Sequence, residues 1–272
     1  MAKESKEHSS RAKLVAFAAI CAALYATINA VTSFIPTPYG IGEFRPGVIV
    51  PAFFAIVVGP IPAAIGAGVG SFIGDMVSLV PTGRSTFALA LGAGATGNFV
   101  GFLVLGYVYQ KLQTWRGFIA GTTLGLFFGN LVAATGVVVI LGLSTVILAG
   151  LLFFWFGTMF PFVIIFVPVL IRLMQPFSSQ LSSRGKYPKF SEPNRKLVWV
   201  WSIVVAVLLL GALVAILPIE GSYISQTGGQ LAWEALFLVS AASVIIIGAL
   251  LPQITRTKSA DALEQRNAER SA

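Results

Sequence analysis

From residue 47 to residue 80 the chain runs for 34 residues with a single ionisable side chain, Asp75. As one helix this run would be about 51 Å long, against a hydrocarbon core of about 30 Å, so it must fold back on itself or tilt steeply. Gly59-Pro60-Ile61-Pro62 supplies a break, because proline cannot continue the helical hydrogen-bond ladder and restricts the residue before it. The run therefore reads as two shortish spans.

Other apolar segments of similar kind surround it. Residues 14–35 form a first span ended by Pro36 and Pro38, and a polar, turn-rich link leads to Pro46. Residues 86–109, 117–143 and 146–173 make three more, the last expected to kink at Pro161 and Pro168. A basic linker covers 174–196, two further spans fall at 197–217 and 231–251, and a charged tail covers 252–272. Segments of about twenty residues suit helices, not the ten-residue alternating strands of a barrel. With 56% hydrophobic and only 10% charged residues, the chain is too apolar for a soluble domain and too poor in charge for disorder. The expected fold is an all-α, polytopic transmembrane helical bundle. It divides into an N-terminal tail (1–13), a six-span core (14–173), the linker (174–196), a two-span appendix (197–251) and the C-terminal tail.

Charge placement tests the count. With both termini in the cytoplasm and the 47–80 run split in two, the tails, the 111–116 loop and the linker all lie inside. They hold 16 of the 18 Lys and Arg, leaving only Arg45 and Arg84 outside. A single span at 47–80 would send the basic linker outward. The net charge of +8 is explained by this bias toward the cytoplasm, so nucleic acid is not expected as a partner. Residues 1–13 mix Glu4 and Glu7 with basic residues ahead of an apolar stretch longer than a signal core, which favours a retained first span over a cleaved leader. Cys21 is the only cysteine and His8 the only histidine, so an intrachain disulfide, a cysteine metal cluster, a histidine-ligated metal centre and a His-based triad are excluded by counting. No metal or cofactor is expected.

Arg45 and Arg84 violate the charge bias, and Asp75 sits about one and a half turns from the outer end of its span. With Glu43 they should gather at the outer face, where desolvation makes each costly to keep without a partner or a task. Ion pairing that merely neutralises a loop is one explanation; a ligand site is the other, and the two can coexist. In a ligand site Arg45 and Arg84 would offer planar donor forks to a carboxylate or polarised carbonyl, while Asp75 would accept from a ring nitrogen or ammonium.

Several small-residue patterns accompany these charges. The first span carries Ala12, Ala16, Ala19 and Ala23 beside a second stripe at Ala18, Ala22, Ala26 and Ala30, a thin surface that another helix can approach closely, either within the bundle or from another protein. Gly66, Gly68, Gly70 and Gly74 thin the third span. Related phrases, Gly97-Asn98 and Gly129-Asn130, occur in the fourth and fifth. Asn98 and Asn130 would serve as hydrogen-bonding glue between helices or as ligand contacts. Phe153, Phe154, Trp155, Phe156, Phe160 and Phe162 cluster in the sixth span, where Trp155 could stack on a ring and the rest suit packing or lipid. Glu220 and Glu234 read as solvated. The sequence contains no Gly-x-x-x-x-Gly-Lys-Ser/Thr phosphate loop, no Gly-x-Ser-x-Gly elbow and no His-Glu-x-x-His motif, which argues against an enzyme and against an ATP site of that type in this chain.

Over residues 10–173 the chain resembles the S components of energy-coupling-factor (ECF) vitamin transporters. The likeness rests on the alanine-laddered first helix, Phe44-Arg45-Pro46-Gly47 opening the second, Gly59-Pro60 between the second and third, and Gly70-Ser71-x-x-Gly74-Asp75 near the end of the third. The appendix departs from the six-span pattern. The resemblance implies a subunit of the cell membrane that captures a vitamin or related micronutrient on the outer face. It would dock on a transmembrane T component through small residues of the first helix, and paired ATPase subunits would drive release inward. The expected substrate-binding residues are Glu43, Arg45, Asp75, Arg84, Asn98, Asn130 and Trp155; the docking residues are Ala12, Ala16, Ala19 and Ala23. A stand-alone secondary transporter or channel for a small polar solute is the alternative, and would need a coupling charge deep in the core or a polar pore.

Overall fold

The computed structural model of the protein describes residues 2–37 and 39–181, together with Pro188, Ile203 and Val207. The rest of the linker, the appendix expected at 197–251 and the C-terminal tail, with Glu220 and Glu234, lie outside the described residues. Among the described residues there is no β-strand, and five helices are long and apolar enough to cross a membrane. The protein is an all-α, multi-pass membrane bundle.

Helix α1 runs from Ala2 to Thr32, with its apolar part at Arg11–Thr32. The polar residues ahead of the span continue the same helix, since Ala, Glu and Lys are good helix formers and no glycine or proline interrupts them. At the other end the helix stops short of Ile35, whose N–H closes a turn onto the Thr32 carbonyl at 3.1 Å.

The 47–80 run breaks where Gly59-Pro60 falls. Gly59 has φ +136°, open to glycine and rarely adopted by other residues, and Pro60 opens the next helix at a position where its missing N–H leaves no bond unmade. The two pieces are unequal. A 3₁₀ turn at Pro46–Val48 and α2 at Ile49–Val57 together reach about 20 Å, short of the hydrocarbon thickness, whereas the 23-residue α3 at Pro60–Thr82 has full length. All of α2 from Val50 onward is buried, so it is an apolar plug surrounded by longer helices.

Helix α4 spans Phe87–Leu112 and contains one π turn at Ala90–Ala95; α5 spans Trp115–Leu141 and α6 Thr145–Leu173. Thr86 and Thr114 cap α4 and α5, each hydroxyl accepting from the backbone N–H three residues on. The linker opens with a 3₁₀ turn at Gln175–Phe177 and a short α7 at Ser178–Leu181.

Glycine spacing decides which helices touch. Gly66, Gly70 and Gly74 recur every fourth residue of α3 and meet the Ala18, Ala22 and Ala26 stripe of α1. A Cβ on Gly70 would lie 2.7 Å from the Ala22 carbonyl oxygen, and one on Gly74 2.9 Å from Asn29 Cβ. The Gly97 and Gly129 phrases pack on each other in the same way, since a Cβ on Gly101 would lie 2.9 Å from the Gly125 carbonyl and one on Gly125 2.6 Å from that of Gly101. Close backbone approach of this kind is the usual source of helix association in lipid, where apolar burial gives little. The other stripe of α1, Ala12, Ala16, Ala19 and Ala23, faces outward, beside exposed Val15, Ile20 and Leu24. The bundle is inverted in polarity: Asn29, Ser71, Asp75, Thr122 and Asn130 are buried, while Val31, Val80, Phe87 and Val139 are exposed.

The 26 residues of α4 place Thr82 and Gln113 about 39 Å apart, near opposite ends of the bundle. Cys21 is fully buried, so the native thiol does not interfere with labelling. A cysteine at Thr82 is expected to react with an impermeant maleimide from outside the cell and one at Gln113 only from inside. Labelling of both from one side would contradict the bundle.

Candidate functional site

The link after α1 folds back on itself. Phe44 N–H donates to the Ile35 carbonyl at 2.9 Å, Thr37 N–H to that of Gly42 at 3.1 Å, and the Thr37 hydroxyl to that of Ile41 at 2.6 Å. This reversal carries Glu43 and Arg45 into the bundle, where they are 4% and 8% exposed. Gly42 makes it possible: its φ is +75°, and a Cβ there would lie 2.6 Å from the Trp155 ring. Two side chains fasten the link from outside. The Trp155 indole N–H donates to the Glu43 carbonyl at 3.1 Å, and an Arg84 guanidinium N–H donates to the Ser33 carbonyl at 2.8 Å.

Ser71 and Asp75 are four residues apart and share one face of α3. Arg45 reaches both, with Nη1 donating to Ser71 Oγ at 2.7 Å and Nη2 to Asp75 Oδ1 at 2.5 Å. Asn98 on α4 donates to Ser71 Oγ at 3.1 Å and to the Gly94 carbonyl at 2.8 Å, and its oxygen accepts from Tyr25 of α1 at 2.7 Å. One polar network therefore ties the link, α1, α3 and α4. Gly94, in the π turn, has no room for a side chain because a Cβ would strike Asp75 Oδ2.

The charges of the link differ in their partners. Burial alone would favour a neutral Arg45, but the Asp75 carboxylate beside it, together with Tyr25 and Glu43, outweighs that cost and holds the guanidinium charged. Glu43 has no ion-pair partner among the described residues. Burial pushes its carboxyl above the ordinary range, and the nearby Arg45 and Arg84 offset only part of that shift.

Beneath the link lies a cavity; the space there unfilled by protein atoms, open solvent at its mouth included, is about 540 Å³. Glu43, Arg45, Asp75, Arg84, Asn98, Asn130 and Trp155, separated by up to 112 residues in sequence, all line it. They have different free capacity. Asn98 has both ends bonded within the protein and acts as glue. Asn130 is 7% exposed with an Nδ2 that has no partner, and Arg45 Nε is likewise unbonded. Trp155 has its N–H engaged and only its ring left. Among the neighbouring aromatics Phe154, Phe156 and Phe160 are buried, and Phe156 stacks on Phe160 with centroids 5.6 Å apart, so they are packing.

Sequence reasoning missed Ser71, whose position four before Asp75 was the available signal, and the apolar wall of Leu89, Val137 and Met159, which carries none. Among the described residues no three His, Cys, Asp or Glu side chains group as a metal site. The cavity offers charged and amide hydrogen bonds at one wall and apolar contact at the other. No protein family, curated protein or solved structure matches the chain.

Proposed function

We infer that this chain is the substrate-binding membrane subunit of an ATP-driven importer of the ECF kind, which takes a vitamin-like micronutrient at the outer face of the cell membrane. The observation that carries the reading is the convergence of the seven polar and aromatic side chains on one cavity under the link. Pre-formed, mostly apolar cavities with a few convergent polar groups are where small ligands bind. The outward stripe of Ala12, Ala16, Ala19 and Ala23 supports the second half of the reading, a thin face on which a transmembrane T component docks. With no phosphate loop in the sequence, ATP hydrolysis falls to separate ATPase subunits.

The test is purification of the full chain from cells grown in rich medium, followed by mass spectrometry of any small molecule released on denaturation. A retained compound, taken up by proteoliposomes only when the T component, the ATPases and ATP are present, is the expected result. Uptake by the chain alone on an ion gradient would replace this reading with a secondary transporter.

Arg84→Ala is expected to weaken binding of the retained compound by more than about tenfold, because the half-buried guanidinium at the cavity rim spends only one of its donors on Ser33. Calorimetric titration of the purified variant, with its melting temperature checked, reads this directly. Unchanged affinity would make Arg84 a clamp on the link and nothing more.

A further inference from the structure

Four charged side chains line the cavity, and they cancel unevenly. Arg45 and Asp75 neutralise each other in direct contact, with their side chains 10% and 5% exposed. Arg84 is only half-buried and stands at the rim, bonded to the Ser33 carbonyl. Glu43 remains: it is 4% exposed, it lines the cavity, and no cation lies within ion-pair distance of it among the described residues. A buried carboxylate in that position has no counter-charge in direct contact. Trp155 is adjacent, its indole N–H held by the Glu43 carbonyl, and an indole beside a carboxylate adds attraction for a cation. Across the cavity Leu89, Ala133, Val137 and Met159 are apolar. The unbonded Asn130 Nδ2 is a second buried group facing the cavity with nothing to bind.

We propose that the cavity takes a small organic cation, a protonated amine on an apolar body, with the ammonium on the Glu43 carboxylate beside Trp155 and a hydrogen-bond acceptor of the ligand on Asn130. The proposal rests on the reading of this cavity as a substrate site and reassigns one role within it. The acceptor for an ammonium is Glu43, because Asp75 is already committed to Arg45. Until the ligand arrives a proton serves as counter-charge to Glu43, and binding releases it. Affinity then rises with pH through the range in which Glu43 deprotonates; the charged and polar groups that face it are Arg45, Asp75, Arg84 and the hydroxyl of Ser78.

Three probes with one ring and different charge separate the possibilities: benzylammonium, benzyl alcohol and benzoate, titrated calorimetrically into the full chain in detergent. Benzylammonium is expected to bind at least about tenfold more tightly than benzyl alcohol, with benzoate weakest, and to tighten with rising pH. Glu43→Gln should erase the preference for the cation while the protein melts no lower than the wild type, since the amide replaces a protonated carboxyl of the same shape. Equal binding of amine and alcohol, preference for benzoate, or a preference that survives Glu43→Gln overturns the cation while leaving the cavity as a binding site. If none of the three binds, the cation assignment falls, and the cavity reading is decided separately by whether the purified chain retains a small molecule.

Discussion

Replacing Asp75 with alanine is expected to destabilise the protein by about 3–5 kcal/mol, the usual cost of removing one partner from a buried ion pair. Arg45 would keep its charge at 8% exposure, with Ser71 as its remaining partner and Nε still unbonded. Most of the cost is the stranded guanidinium rather than the lost attraction. A double variant, Arg45→Met with Asp75→Leu, should therefore be more stable than Asp75→Ala, an inequality that a merely additive contact would not produce. Unfolding in mixed micelles titrated with SDS, followed by tryptophan fluorescence, measures both. A midpoint for Asp75→Ala equal to that of the wild type would show the pair to be energetically idle. The result also bears on interpretation: weakened ligand binding in Asp75→Ala would report a damaged cavity wall, so ligand contact is better read at Glu43 and Arg84.

Gly70→Leu is expected to prevent folding, and Ala23→Leu to leave folding intact while abolishing recovery of the partner subunits. At Gly70 even a Cβ would lie 2.7 Å from the Ala22 carbonyl oxygen and 3.0 Å from Ala22 Cα, both backbone atoms with no rotamer to relieve the clash. Forcing α1 from α3 also strains the Tyr25 hydrogen bond to Asn98, so the cavity wall goes with the interface. Ala23 is one residue from Ala22 and on the opposite, exposed side. Among the described residues that position is open, so the effect of a larger side chain on stability should stay within about 0.5 kcal/mol. Thermal melts and co-purification from cells expressing all subunits distinguish the two. If Ala23→Leu destabilises the isolated chain as severely as Gly70→Leu, the outward stripe is internal packing and the docking face must be sought elsewhere.

The parts of this architecture that were legible in the sequence are those written in charge, proline and glycine. Glu43, Arg45, Asp75 and Arg84 stood out because ionisable groups in apolar surroundings are few, and all four line the cavity. Gly59-Pro60 fixed the break, since no other dipeptide combines that φ with a missing donor. The division of labour between the two alanine stripes was not legible, because both have the same composition; the facing glycines of α3, at matching fourfold spacing, decide it. Nor was the pairing of Arg45 with Asp75, which depends on how sharply the link reverses. The unequal halves of the 47–80 run escaped for a similar reason: a buried plug and a spanning helix are equally apolar, and only the surroundings of α2 tell them apart.

The π turn at Ala90–Ala95 holds one residue more than an α-helical turn of the same rise, and it opens the stretch of α4 that carries Leu89, Ala93, Gly94 and Asn98 to the cavity. Each helical residue advances the face by about 100°, so a residue gained or lost in this Ala-Gly tract without a matching change of pitch would rotate everything before it by that angle relative to Asn98. Leu89 would turn out of the wall and the rim around Arg84 and Ser85 would be drawn round with it. A single codon lost or gained in a stretch of near-featureless residues thus remodels one side of the cavity while Glu43, Arg45 and Asp75 stay as they were. That is a short mutational route from one cavity shape to another.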